Sequence, residues 1–152
     1  MQYARQKAIK ELLTNKWEIN PLISMNEPAA IKIEDDYALY QSWYIRDSNN
    51  RHITSHTWYS NTGNRQETEA TVNVIVNAPR MLQLLVKSVG YLIDANETLE
   101  EHIGDDMLPG SAALTDEIAT LLSNVLHCSW QEICTINKEL LEEKLASSIT
   151  EL

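Results

Sequence analysis

The chain has 152 residues, a formal net charge of −10, two cysteines and no phenylalanine. That length carries one core plus an appended element and excludes two independent enzymatic domains, while the acidity opposes nonspecific attraction to nucleic acid or anionic lipid. Met1–Leu13 mixes Arg5, Lys7, Lys10 and Glu11 with its apolar residues, unlike a signal peptide, and no window reaches the roughly 18 apolar residues of a membrane-spanning helix.

In chain order, Tyr3 to Trp17 sets Ala4, Ala8, Ile9, Leu12, Leu13 and Trp17 among Lys and Arg at helical spacing, which predicts an amphipathic helix ending near Asn20-Pro21. Residues 22–28 read as a connector. Ala30–Ile33 and Tyr37–Arg46 have the β-branched and aromatic composition of strands. Asp47-Ser48-Asn49-Asn50 is a turn signal and His52–Ser60 a returning strand, so an antiparallel hairpin is expected, closed by Asn61-Thr62-Gly63-Asn64. A helix is predicted from Glu67 or Thr68, with Ile75, Ala78, Leu82, Leu85, Val89, Leu92, Leu99 and Ile103 recurring at a near-heptad rhythm. Pro79 is expected to kink it or open a second helix, Gly90 to admit a close neighbour, and Gly104 to end it. After Leu108-Pro109-Gly110, Thr115 is the expected cap of a helix to His127. Ser129 with Glu132 forms a capping-box pattern for another, reaching about Ala146. The expected class is α+β: an antiparallel hairpin or small sheet packed on a long helix, residues 1–106, followed by a C-terminal helical hairpin, residues 107–152.

Charge is uneven along the chain. Arg46, Arg51, Arg65 and Arg80 fall in a stretch opposed only by Asp47, Glu67 and Glu69, whereas the 13 acidic residues from Asp94 onward meet only Lys138 and Lys144. Strand alternation puts His52, Thr54, His56 and Trp58 on one face of the second hairpin strand. Two histidines four residues apart in a strand stand about 13 Å from each other, too far to share one ion, and neither a metal nor a cofactor is expected. His52-Ile53-Thr54 has no matching second half at His102-Ile103-Gly104, and no phosphate loop, nucleophile elbow or zinc-protease motif occurs. Cys128 follows His127, but adjacent helical residues point about 100° apart, so a structural thiol in a reducing cytoplasm is the plain reading.

A binding surface remains, and no catalytic centre is expected. Aromatic faces and forked Arg donors suit a phosphate-bearing planar ligand. The candidate ligand-binding residues are Trp43, Tyr44, Arg46, His52, His56, Trp58 and Arg65 of the hairpin region, with Asn73, Asn77 and Arg80 of the following helix. With no Phe in the chain, the same Trp and Tyr rings are also candidates for the core.

Glu67–Leu85, with Ala70, Asn73, Ile75, Ala78, Pro79, Leu82 and Leu85 in place, resembles a helix motif of small phage and prophage proteins, in which an Ala-Asn-Ala run leads to Ala-Pro-x-Leu-Leu after a β-rich region. It departs at Val72, Val74, Val76, Asn77 and Arg80. The layout of an antiparallel sheet followed by helices is similar to phage sponge proteins that sequester nucleotide immune signals. That resemblance implies a non-enzymatic, homo-oligomeric counter-defence protein of the host cytoplasm, with a small nucleotide ligand or a host defence protein as partner; from the charge and the lack of a long apolar run, neither membrane nor general nucleic-acid binding is expected. The acidic C-terminal third suggests an alternative, an anti-CRISPR-like or nucleic-acid-mimic inhibitor acting by protein contact; a phage structural or assembly factor is a third.

Overall fold

The computed structural model describes residues 2–103 and 111–150. Its elements are α1 (Gln2–Thr14), β1 (Glu18–Ile19), β2 (Ala29–Ile33), β3 (Asp36–Arg46), β4 (His52–Tyr59), α2 (Arg65–Ile103), α3 (Ser111–Leu126) and α4 (Trp130–Thr150). This is an α+β fold with a small antiparallel sheet, a long helix and C-terminal helices. The chain forms two units, one of Asn15–Arg80 and one of Met1–Thr14 with Met81–Leu152. The expected division near residue 106, the Gly104 stop and the Leu108-Pro109-Gly110 loop lie outside the described residues.

In the sheet unit, β3 is the central strand. Tyr40 pairs with both Ala29 of β2 and Tyr59 of β4, and Ile45 with both Ile19 of β1 and Thr54 of β4. β4 therefore occupies one edge of β3, while β1 and β2 share the other in succession. The intervening connector stays tied to that edge: the Asn20 N–H donates to Tyr44 O and the Met25 N–H to Ser42 O, while Ser24 Oγ accepts from the Tyr44 N–H. β1 has only two residues, too short for an alternation signal. Between β2 and β3 the chain reverses at Glu34-Asp35, with Glu34 in the left-handed region at φ 56°.

The loop between β3 and β4 is organised by one buried carboxylate. Asp47 Oδ1 accepts from the backbone N–H groups of Asn49 and Arg51, both at 2.9 Å, and Oδ2 from Arg51 Nε at 2.7 Å. Asn50 takes the left-handed conformation at φ 61° that this reversal requires. Trp43, Ile45 and Val72 form the core of this unit, with Trp17, Ile19, Ile53, Trp58, Ile75 and Val76 packed against them.

α2 starts at an Asn64 cap, whose Oδ1 accepts the Gln66 N–H at 2.9 Å. It runs through Pro79 as one helix. The helical unit is built on Ile9, Leu13, Val86, Val89, Leu122, Leu126, Cys128, Ile133 and Ile136. Arg5 reaches Glu132, and Lys10 reaches Glu139 and Glu143, so α1 is clasped to α4 by charge as well as apolar contact. Of the expected stripe on α2, Leu82, Leu85 and Val89 serve this core; the side chains of Leu99 and Ile103 lie outside the described residues.

Three expectations need correction. Thr115 is a buried residue inside α3 and not its cap, because the helix begins at Ser111. The N-terminal helix stops at Thr14, leaving Trp17 to the sheet core. Gly90 admits no close neighbour, since a Cβ there would meet nothing within 4 Å. Gly90→Ala is therefore expected to stabilise α2 by about 1 kcal/mol, read as a higher denaturant midpoint.

The Ser129 capping box is present. Ser129 N–H donates to Glu132 Oε2 at 2.8 Å and the Glu132 N–H donates to Ser129 Oγ at 3.3 Å. Just before it, His127 at φ 51° and the Cys128 N–H bond to Ser123 O close α3 in a Schellman arrangement. The adjacent His and Cys thus mark a helix stop.

Candidate functional site

Directly paired residues of antiparallel strands share a face, and this sorts the hairpin side chains. Trp43 and Ile45 are buried beside Val72 of α2, so their face is the inner one; their partners His56 and Thr54 lie on it too, as do Gln41 and its partner Trp58. The outer face carries Tyr40 with Tyr59, Ser42 with Thr57, and Tyr44 with Ser55.

A bulge decides where His52 goes. The register slips between Ile45 and Arg46, so that Arg46 pairs with His52 and Ile53 is left without a partner. Ile53 packs into the inner core, and His52 is returned to the outer face, its ring 6.2 Å from that of Tyr44. The expectation that His52 and His56 share a face is thereby corrected. Strict alternation cannot register one extra residue, and a bulge reverses every side chain beyond it.

The outer face consequently gathers two aromatic pairs. Tyr40 and Tyr59 stack with centroids 6.3 Å apart, and Tyr44 and His52 form the second pair about 13 Å further along the strand. Between them the hydroxyls of Ser42 and Thr57 are hydrogen-bonded at 2.8 Å, and Ser55 is exposed. Arg46, cross-strand from His52, closes the far end. Its Nε donates to Glu18 Oε1 at 2.9 Å and its Nη1 to Asn50 Oδ1 at 3.0 Å, which orient the guanidinium.

The ten expected ligand residues are therefore divided among three places. Tyr44, Arg46 and His52 come together on the outer face. Trp43 is buried in the core, His56 is its cross-strand neighbour, and Trp58 donates its indole N–H to Gly63 O at 2.8 Å, fastening the turn into α2. Arg65 donates to Gln41 Oε1 at 2.9 Å and pairs with Glu69, while buried Gln41 donates in turn to Met25 O. These side chains hold the sheet unit together. Asn73, Asn77 and Arg80 are exposed on α2, and Asn77 Nδ2 donates to Asn73 O one turn back. The Tyr40–Tyr59 pair lies on the same outer face and is not among the ten candidates, although both rings lie in the aromatic-rich hairpin and face the same way as Tyr44 by alternation.

Chemistry elsewhere is sparse. Cys128 is buried; burial and then the Glu132 carboxylate push its thiol above the ordinary value, with Arg5 opposing, the reverse of an activated nucleophile. Among the described residues no group of three His, Cys, Asp or Glu side chains is placed to hold a metal, and no helix is long and apolar enough to cross a membrane. Clefts in the helical unit include one of about 120 Å³ lined by Leu13, Gln83, Val86, Asn137, Leu140 and Lys144 among others, below the roughly 300–1,000 Å³ of ligand pockets, and two broad surface depressions of about 410 and 400 Å³, one along Thr14 and α4 and one along α3. No family model, curated protein or solved structure matches the chain significantly.

Proposed function

We propose that this protein captures a planar, phosphate-bearing small molecule of nucleotide type on the outer face of its sheet and sequesters it without transforming it, as a phage counter-defence protein in the host cytoplasm. The observation that carries this reading is the joining of Tyr44, His52 and Arg46 at one end of a sheet face whose other end holds Tyr40 and Tyr59. Rings of this kind stack on a base, and the Arg46 N–H groups that Glu18 and Asn50 do not engage can donate to a phosphate. The host setting rests on the resemblance of Glu67–Leu85 to phage helices.

The acidic C-terminal third supports a competing reading, an inhibitor acting by protein contact. Within it, Glu132, Glu139 and Glu143 are already engaged by Arg5 and Lys10, which reduces the charge available to a basic partner. A thermal-shift series with cyclic dinucleotides and cyclic ADP-ribose isomers tests the first reading. A bound ligand at 100 times its Kd is expected to add about 2.7 kcal/mol and raise Tm; no shift with any of them, together with recovery of a host nuclease on pulldown, favours the second.

A further inference from the structure

α2 carries a second apolar row that its own core does not use. Leu82, Leu85, Val86, Val89 and Ile93 pack into the helical unit, whereas Met81, Leu84 and Tyr91 are 48%, 46% and 74% exposed. Ser88, Ala95 and Thr98 are exposed as well. Positions 81, 84, 88, 91, 95 and 98 are spaced alternately by three and four residues, the rhythm of a coiled-coil seam, and they extend over roughly 26 Å of helix.

We propose that this seam pairs with the same seam of a second copy of the chain, the two helices antiparallel about a two-fold axis between Val89 and Gly90. Side-chain volume selects the register. Antiparallel pairing about that point sets Met81 opposite Thr98 of the second copy, Leu84 opposite Ala95, and Tyr91 opposite Ser88, so each large side chain meets a small one and the layers interdigitate. A parallel pair would set Tyr91 on Tyr91 and Ser88 on Ser88.

Charge selects the same arrangement. Lys87 and Asp94 occupy the flanking positions that face one another across an antiparallel seam, giving two opposite-charge pairs by symmetry. The sequence repeats the pattern outward, with Arg80 seven residues before Lys87 and Glu101 seven after Asp94. In the parallel arrangement Lys87 would face Leu92. The interface uses neither the outer sheet face nor the row expected from Ile75 to Ile103, so its success or failure is independent of ligand binding.

Light scattering and sedimentation of the intact chain across a concentration series test the pairing. The expected mass is twice that of the 17.3 kDa chain. Lys87→Glu, which sets Glu against Asp94 of the second copy twice, is expected to weaken association roughly tenfold or more with helical circular dichroism unchanged. The double exchange Lys87→Glu with Asp94→Lys restores it. A monomer throughout the series overturns the proposal, as does a dimer indifferent to Lys87→Glu or one that the double exchange fails to rescue.

Discussion

Alanine in place of Leu122 is expected to destabilise the helical unit by about 2–5 kcal/mol, against a total of roughly 5–15 kcal/mol for a domain of ordinary stability. Leu122 is fully buried at 0% exposure in the cluster that joins α1, α2, α3 and α4, while its neighbour Leu121 is 52% exposed. Truncating Leu122 removes the Cγ methine and both Cδ methyls from a site with packed neighbours on every side and leaves a cavity that the helices close only in part. Leu121→Ala is expected to change stability by no more than about 0.5 kcal/mol. Urea unfolding of the two variants separates these values, and equal effects would contradict the packing described for α3.

The second large effect is expected at Asp47. Burial alone would raise its carboxyl pKa, but hydrogen bonds from the Arg51 N–H, the Arg51 guanidinium and the Asn49 N–H outweigh it and hold the group below the ordinary carboxylate value. Asp47→Ala removes the acceptor of all three, leaves their donors without this partner, and detaches the turn that sets the register of β3 and β4. Loss of the sheet signal is expected at temperatures where the wild type is folded.

The pH dependence has a definite sign. A carboxyl with a depressed native pKa contributes stability that is complete above its unfolded value of about 3.9 and is lost as pH falls through the lower native value. Glu132 behaves alike, its pKa lowered first by the Ser129 N–H and then by the Ser129 hydroxyl, with Arg5 adding to the effect. The stability gap between wild type and Asp47→Ala is therefore expected to be constant near neutrality and to narrow below about pH 4. Chemical denaturation at a series of pH values measures it; a gap that widens in acid would contradict the arrangement.

Much of the architecture is legible because its signals are local. The strands Ala29–Ile33, Asp36–Arg46 and His52–Tyr59, the turn at Asp47–Asn50 and the Ser129–Glu132 box all depend on residues close together in sequence. The candidate site was only partly legible because its decisive features are not local. Whether an arginine is available depends on Glu18 for Arg46 and on Gln41 for Arg65, 28 and 24 residues away. The bulge at Ile53 leaves no mark on composition, yet it determines which face His52 joins. The exposed row of Met81, Leu84 and Tyr91 was hidden by a stronger apolar rhythm on the same helix, and only the burial of that first row separates them.

The outer sheet face, with Tyr44, His52 and Arg46 at one end, is proposed as the ligand-binding surface. Calorimetric titration of cyclic dinucleotides and cyclic ADP-ribose isomers into wild type, Tyr44→Ala and Asn73→Ala tests it most directly. Saturable binding is expected for wild type, with a loss of about 1–3 kcal/mol in Tyr44→Ala, roughly 5- to 150-fold in Kd, and no change in Asn73→Ala, whose side chain lies on α2 away from that face. Absence of saturable binding by wild type, or equal affinity in Tyr44→Ala, would contradict it.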